Sequence, residues 1–323
     1  MNDTTLQILN WLRKAMPQYV SGAELCQALG ISRAAVWKHI HQLRESGYGI
    51  ASSPNRGYRL DKVPNIPSKL EVTPLLTTRK FGHELYFFQK TDSTNRLAAD
   101  MARNGKPEGT VVVADSQTAG RGRLQRQWHS PSGQNLYCSL ILRPETPPFK
   151  APQAALIAGM ALCRTIRGLL PKHEPQVKWP NDVFLEGRKI AGILCAMVSE
   201  MERVEHLVVG IGINVNITRF PDELASLATS LQIVSGREFL RPLLLAKFLA
   251  DLENAYSQWL LQGLESFMDE WSEVAYLTGR RVKIDTLPDK AAGKVLGISP
   301  DGALLIREDD GHIRSIASGD VYA

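Results

Sequence analysis

SRAAVWKHIHQLRESGYGIASSPNRGYRL, Ser32 to Leu60, changes its hydrophobic period halfway along. The first half places Val36, Ile40 and Leu43 on one inward stripe of a helix, behind a capping Ser32. Gly47 stops that helix, and the second half reads as two short strands around a turn at Pro54-Asn55-Arg56-Gly57. Upstream, residues 4–14 carry Leu6, Leu9 and Leu12 at helical spacing, with Ile8 and Trp11 widening the stripe. Ser21 then caps another helix, Glu24 completing a capping box, with Leu25 and Leu29 inward and Gly30 at its end. Helix, helix–short turn–helix, then hairpin is the order of a winged helix-turn-helix.

Charge agrees with that order. Through Asn65 the chain holds 8 Lys and Arg against 4 Asp and Glu. Much of the excess sits on the third helix, at Arg33, Lys38 and Arg44, and on the hairpin, at Arg56 and Arg59. A basic helix face suits the major groove, and a basic hairpin can follow nearby phosphates. Ser32, Arg33 and Ala34 stand at the helix start, where base edges are met, so Ser32, Arg33, Ala34, Lys38, Arg56 and Arg59 are the expected DNA contacts. The same charges would also solvate a small packing domain, and such folds serve as protein adaptors too. One module reads half of a two-fold site, so a repressor would need the rest of the chain to dimerise.

The whole chain has 323 residues, which favours two or three domains. Its 44% hydrophobic and 22% charged residues are those of a protein with a buried core, and its net charge of +5 only weakly favours an anionic partner. Cys26, Cys138, Cys163 and Cys195 lie far apart, three of them in apolar runs, which favours free thiols in a reducing compartment. The N-terminus has no secretory core, and the longest apolar run, residues 154–163, is too short to span a bilayer. A cytoplasmic enzyme or regulator without membrane attachment is expected. The segment DKVPNIPSKLEVTP reads as a linker, giving boundaries at 1–64, 70–275 and 276–323.

The middle of the chain is rich in strands: ELYFFQ, TVVVAD, NLYCSLIL, QVKWPNDVFL, KIAGILCAMV and HLVVGIGINVN. Helices follow at about 152–170, 239–261 and 264–275. Hairpin-spaced strands with grouped helices predict an α+β domain, and no glycine group forms a Walker loop or dinucleotide fingerprint. After Leu277, short alternating strands broken by LPDK, SPDG and DDG turns predict a small β-barrel of the SH3-like kind.

Four stretches in the middle carry chemistry. DSTN, Asp92 to Asn95, joins a strand to a helix; Ser93 or Thr94 either caps the helix or sits beside an anion at its start. GRGRLQRQW, Gly120 to Trp128, lies in a long polar loop whose Arg121, Arg123 and Arg126 repel one another until an anion pairs them. In VKWPND, Lys178 ends a strand, placed either to snorkel at the sheet edge or to face an anion. The adjoining RKIAGIL completes a hairpin where Gly192 leaves room for a ligand. VVGIGINVN offers two glycines as a groove wall and Asn214 as an amide suited to a purine edge. Together they describe a site for an anion, a nucleotide and something slender and apolar.

As a set, DSTN, GRGRLQRQW, VKWPND, RKIAGIL and GIGINVN resemble the catalytic domain of biotin–protein ligases, the biotin–[acetyl-CoA-carboxylase] ligase family. With the N-terminal module, the chain is similar to the bifunctional ligase/repressor group of that family from about residue 4 onward. The resemblance implies that biotin and MgATP form biotinyl-5′-AMP, and that the acyl group passes to a lysine of biotin carboxyl carrier protein. It places Lys178, Arg121 and Arg123 in catalysis, with Arg123 holding the adenylate. For biotin it implies Ser93, Thr94, Asn95, Gln117, Gly120, Arg121, Gly122, Arg123, Lys178 and Gly192. For the adenylate it adds Trp128 and Asn214 to Arg123 and Lys178, and it puts Asp182 in the magnesium region.

The resemblance further implies that residues 218–231 fold over the adenylate, with Phe220 as apolar cover or as core. It sets the C-terminal module beside the active site, with Arg280, Arg281 and Lys283 as candidate contacts. As partners it implies operator DNA and a homodimer promoted by biotinyl-5′-AMP. Many members have Arg-Gly after the second Gly-Arg pair, where this chain has Leu124-Gln125, so a stiffer loop with one fewer charge is expected. Lipoate–protein ligation, whose domain is related, and a regulator that senses biotin without transfer remain the alternatives.

Overall fold

The structure is a computed structural model that describes residues 3–200, 202–286 and 290–322. The chain divides between Ile66 and Pro67 into two compact units, inside the expected linker. The first comprises helices α1 (Asp3–Ala15), α2 (Gly22–Leu29) and α3 (Arg33–Glu45), then a hairpin of β1 (Gly49–Ser53) and β2 (Gly57–Lys62). Its caps are those expected: Ser21 Oγ accepts from Glu24 N at 3.0 Å and Ser32 Oγ from Ala35 N at 3.2 Å. Gly30 closes α2 in the left-handed region, at φ 65°, where a side chain would be strained.

Two details of this unit differ from the sequence expectation. The inward stripe of α1 is Thr5, Ile8, Leu9 and Leu12, while Leu6 is half-buried and Trp11 exposed. Thr5 belongs there because its hydroxyl bonds Nδ1 of buried His39 at 2.9 Å, which satisfies a polar pair inside the core. Arg44 does not simply extend a basic outer face. Its guanidinium donates to Ile50 O at 2.7 and 3.0 Å, tying α3 to the hairpin.

The second unit runs through α4 (Lys69–Val72), β3 (Leu85–Phe88), α5 (Thr94–Arg103), β4 (Val111–Ala114), β5 (Leu136–Leu142) and α6 (Gln153–Leu169). It continues with β6 (Gln176–Lys178), β7 (Asp182–Leu185), β8 (Arg188–Ser199), β9 (Val204–Ile213), α7 (Asp222–Ala225), α8 (Leu231–Ser235), α9 (Arg241–Gln262) and α10 (Met268–Val274). Strands β10 (Arg281–Asp285), β11 (Lys290–Ile298), β12 (Leu304–Arg307), β13 (Ile313–Ile316) and β14 (Asp320–Tyr322) end it. Of the expected LPDK turn, Leu287, Pro288 and Asp289 lie outside the described residues.

A seven-stranded sheet in the order β3-β4-β5-β9-β8-β7-β6 forms the centre, antiparallel except for β3 beside β4. Period-two alternation sorts its side chains. Val111, Val113, Leu136, Cys138, Leu140 and Leu142 face the core shared with α6 and α9, while Val112, Ile141 and Val208 face Ala98 and Ala102 of α5. Strands β4, β5 and β9 are thus covered on both faces where α5 packs, and each buried Val or Leu contributes about 1.5–3 kcal/mol.

The C-terminal strands form a five-stranded antiparallel sheet, β13-β12-β11-β10-β14, as expected of an SH3-like module, with β13 and β14 at its two edges. Its Val282, Ile284, Val295 and Ile306 join the same hydrophobic core as the central sheet. Trp179 Nε1 donates to Gly302 O at 3.0 Å and Gln153 Nε2 to Asp301 O at 3.1 Å, fastening the β11–β12 turn to α6 and to the β6–β7 connection. Helices and sheets therefore compose the multidomain α+β architecture expected, and no described helix is long and apolar enough to cross a membrane.

Candidate functional site

The four stretches singled out in the central domain meet around one cavity of about 380 Å³. Ser93, Thr94 and Asn95 form one wall at the start of α5, and Gln117, Arg121, Gly122, Arg123 and Trp128 another. Lys178, Asp182, Gly192 and Asn214 close it from the sheet side. Gly120 stands behind the wall: a Cβ there would meet Ser130 Oγ at 2.8 Å and Gln117 Nε2 at 2.9 Å.

The wall at α5 is held by hydrogen bonds that the sequence did not suggest. Ser93 occupies the N-cap position without a side-chain cap bond. Asp92 instead accepts from Ser93 N at 2.7 Å and pairs with Arg96, which keeps its carboxyl well below the usual carboxylate range. Gln117 Oε1 accepts from Thr94 N at 2.9 Å and Oγ1 at 3.2 Å, while its Nε2 donates to Ser130 Oγ at 3.1 Å. Asn95 Nδ2 donates to Leu194 O at 3.0 Å, and its Oδ1 accepts from Ser139 Oγ at 2.6 Å. Its amide also lies where a Cβ on Gly210 would go, so Asn95 lines the cavity while its polar atoms serve the sheet beneath.

The arginine loop is less free than mutual repulsion suggests. Arg126 donates to Asp320 of β14, Arg123 Nη1 to Gly319 O at 3.3 Å, and Arg121 Nη1 to Gln125 O at 3.1 Å. Arg123 also stands 3.9 Å from Asp320, whose carboxylate is largely buried at the cavity edge. Sequence reasoning missed Asp320, since nothing in Gly319-Asp320-Val321 signals a partner almost two hundred residues upstream. Leu124 and Gln125 both adopt left-handed backbone at φ 52° and 60°. That conformation disfavours a side chain, so this chain bears strain where a glycine would bear none.

Trp128 lies on the strand glycines. A Cβ on Gly212 would stand 2.5 Å from the indole and one on Gly192 3.0 Å, so these bare positions create the berth of the ring. Lys178 ends β6 half-buried, its Nζ 5.3 Å from the Phe184 ring centroid. Burial pushes its ammonium below the ordinary lysine range; neighbouring Asp182 opposes that shift and Lys189 adds to it. Lys189, another cavity residue missed in the sequence, stands 2.7 Å from Asp182 and 5.3 Å from the Trp128 ring. Among the described residues no three His, Cys, Asp or Glu gather into a metal site, and Asp182 is engaged by Lys189.

Two further segments complete the cavity. Phe220, Leu224, Leu227 and Ala228 supply an apolar rim around α7, held to β8 where Lys189 N donates to Leu227 O and Thr229 N to Lys189 O, each at 2.9 Å. Buried Arg241 donates to Asp115 Oδ1 at 2.8 Å and Asn135 O at 3.0 Å, and Asp115 Oδ2 accepts from Gly133 N at 3.0 Å. This pair anchors both ends of the arginine loop. Arg280, Arg281 and Lys283 are not cavity residues: Arg281 pairs with Asp309 and Arg280 stacks on Tyr276. All four cysteines are free; Cys138 and Cys163 are buried, and desolvation pushes the Cys138 thiol up to about 12.

In the N-terminal unit, Ser32, Arg33, Ala34 and Lys38 are exposed on α3. Arg56 and Arg59 lie 4.2 and 4.8 Å from the Tyr19 ring centroid, and Arg59 also pairs with Asp61 at 2.6 Å. The hairpin charges are thus held on an aromatic platform rather than loose in solvent.

Residues 87–214 match the biotin/lipoate A/B protein ligase family, residues 4–59 an HTH domain, and residues 277–322 the biotin protein ligase C-terminal domain. The bifunctional ligase/repressor BirA of Bacillus subtilis is 39% identical over 97% of both chains. The BirA of Escherichia coli is 31% identical over 99% of this chain and 98% of its own. A solved structure of the Aquifex aeolicus biotin protein ligase, in complex with biotin and ATP, is 30% identical. It covers 74% of this chain and 98% of its own, with a TM-score of 0.65.

Proposed function

Because this chain belongs to the biotin protein ligase family, we propose that its cavity binds biotin beside ATP, with Lys178, Arg121 and Arg123 carrying the chemistry. It is an ATP-dependent biotin ligase and, through its helix-turn-helix unit, a transcriptional repressor. The observation that carries the site reading is the convergence of a cationic loop and Lys178 on one cavity with a polar wall.

Biotin's carboxylate must attack the α-phosphorus of ATP, forming an acyl–phosphate bond as pyrophosphate leaves. Two anions have to meet, so cations placed in advance lower the barrier. Arg121 and Arg123 hold the phosphates, and Lys178 stabilises the carboxylate and phosphoryl oxygens in both steps. Ser93, Thr94 and Gln117 meet the ureido ring at the α5 wall, and Asn214 meets adenine. Trp128, Phe220 and Leu227 shield the mixed anhydride from water until a lysine amine of the carrier protein attacks its carbonyl and releases AMP.

The carboxylates at the cavity, Asp182 and Asp320, are too few for a resident metal, and both face cations. They suit magnesium arriving with ATP, because that ion commonly takes one or two carboxylates and completes its shell with substrate phosphates and water. Magnesium would neutralise phosphate charge, with Asp182 as its protein contact.

In the repressor role, the bound adenylate draws the arginines away from Asp320, orders the loop and residues 218–231, and promotes a homodimer that presents two helix-turn-helix units to operator DNA. Sedimentation with and without biotinyl-5′-AMP tests that step; a dimer fraction unchanged by the ligand counts against it. The ligase site is tested by exchange of labelled pyrophosphate into ATP. Exchange should require biotin and resist competition by lipoate; intact biotin binding without exchange would instead indicate a sensor.

A further inference from the structure

Trp37 is 59% exposed on α3, outside the hydrophobic core of the unit. Helical spacing sets it on one face with Ala34, Lys38 and His41, opposite buried Val36, His39, Ile40 and Leu43. The ring has a stacking partner on its own helix. Its indole stacks on the His41 imidazole at 5.3 Å between centroids and 4° between planes, and His41 Nε2 stands 3.3 Å from Glu45 Oε1. An apolar ring with such a contact loses less conformational entropy when a partner covers it than an unsupported one would.

The surroundings identify the partner. Arg33 and Lys38 flank the indole, on a unit with 8 basic and 4 acidic residues through Asn65. That field attracts a polyanion, whereas the carbon rim of an indole offers nothing to a phosphate. Duplex DNA supplies both features in one groove, phosphates along the edges and the C5-methyl of thymine on the floor.

We propose that Trp37 is a specificity-determining residue that packs its indole on thymine methyl groups in the major groove. Lys38 and Arg33 hold the neighbouring phosphates, and His41 fixes the angle of the ring. The inference rests on the DNA-binding reading above and deepens it by naming the base feature that is read.

The test uses the full chain with biotin and ATP, and duplexes enriched from a random-sequence library by the wild-type protein. Each thymine in the enriched site is replaced in turn by uracil, which removes the methyl and keeps the pairing. At least one exchange should weaken wild-type binding by about fourfold, the worth of one buried methyl group. Trp37→Ala and Trp37→Gln should bind the enriched site more weakly and be indifferent to that exchange. Lys38→Ala should weaken binding to every sequence, flatten the salt dependence and keep the uracil effect. The inference is overturned if uracil is silent everywhere, or if Trp37→Ala keeps the uracil effect. It is equally overturned if Trp37→Ala loses repression in cells at unchanged DNA affinity, since the ring would then contact a protein. Enrichment of no sequence at all would instead overturn the DNA-binding reading.

Discussion

Substituting alanine for Gly212 tests how Trp128 and the strand floor build the proposed biotin pocket. A Cβ at Gly212 would stand 2.5 Å from Trp128 Cε2 and Nε1 and 2.9 Å from Cζ2. Carbon atoms rest about 3.5–4.0 Å apart, so the ring must retreat by about 1 Å. Overpacking of this size costs about 1–3 kcal/mol, or roughly 5- to 150-fold in an equilibrium. The proposed site requires the indole to lie on the strand floor when ligand is bound, so displacing the ring should tell chiefly on binding. The cost should therefore appear in biotin affinity, measured by calorimetric titration, with little change in melting temperature. Gly192→Ala meets the ring at 3.0 Å and should cost much less. In a Trp128→Ala background the Gly212→Ala penalty should vanish. Wild-type affinity in Gly212→Ala, or the same penalty without the indole, would refute this account of the pocket.

Three further outcomes are expected. Lys178→Met should lower biotin-dependent pyrophosphate exchange by about 10²–10³-fold, as loss of a well-placed electrostatic donor does. Burial lowers the Lys178 pKa, so its charged form costs folding stability below that lowered value, a cost lost as pH rises past the ordinary 10.5. At pH 7 Lys178→Met should hence melt no lower than wild type, which separates lost chemistry from lost fold. Asp115→Asn leaves Arg241 buried opposite a neutral group; breaking such a pair costs about 3–5 kcal/mol, and calorimetry should show melting about 10 °C lower. Arg123→Gly should release reactive adenylate and biotinylate bystander lysines, read by blotting a mixture of proteins; labelling confined to the carrier would reject its retaining role.

The helix-turn-helix unit was legible because local rules govern it: Ser21 and Ser32 cap, Gly30 turns, and Val36, Ile40 and Leu43 repeat at helical spacing. The central strands were equally plain, since each apolar run is bounded by polar turns. The four stretches of the cavity stood out because loops and strand ends carried charges or amides without an apolar period to explain them, whereas single residues such as Gln117 and Gly120 were named from the family resemblance. What escaped was contact between distant segments. Asp320 holding Arg126, Arg241 under Asp115 and His39 on Thr5 each join residues whose sequence neighbourhoods look ordinary. The supposed repulsion within the arginine loop shows the same limit, because counting like charges cannot reveal a carboxylate supplied by another sheet.

That carboxylate arrives late. Residues 93–228 furnish most of the cavity, and β14 adds its wall about ninety positions further along the chain. At 5–20 residues per second, a ribosome needs on the order of 5–20 s to reach it after the rest has been made. Through that interval the nascent chain lacks Gly319 and Asp320, so Arg123 and Arg126 gain these protein partners only once β14 has been made.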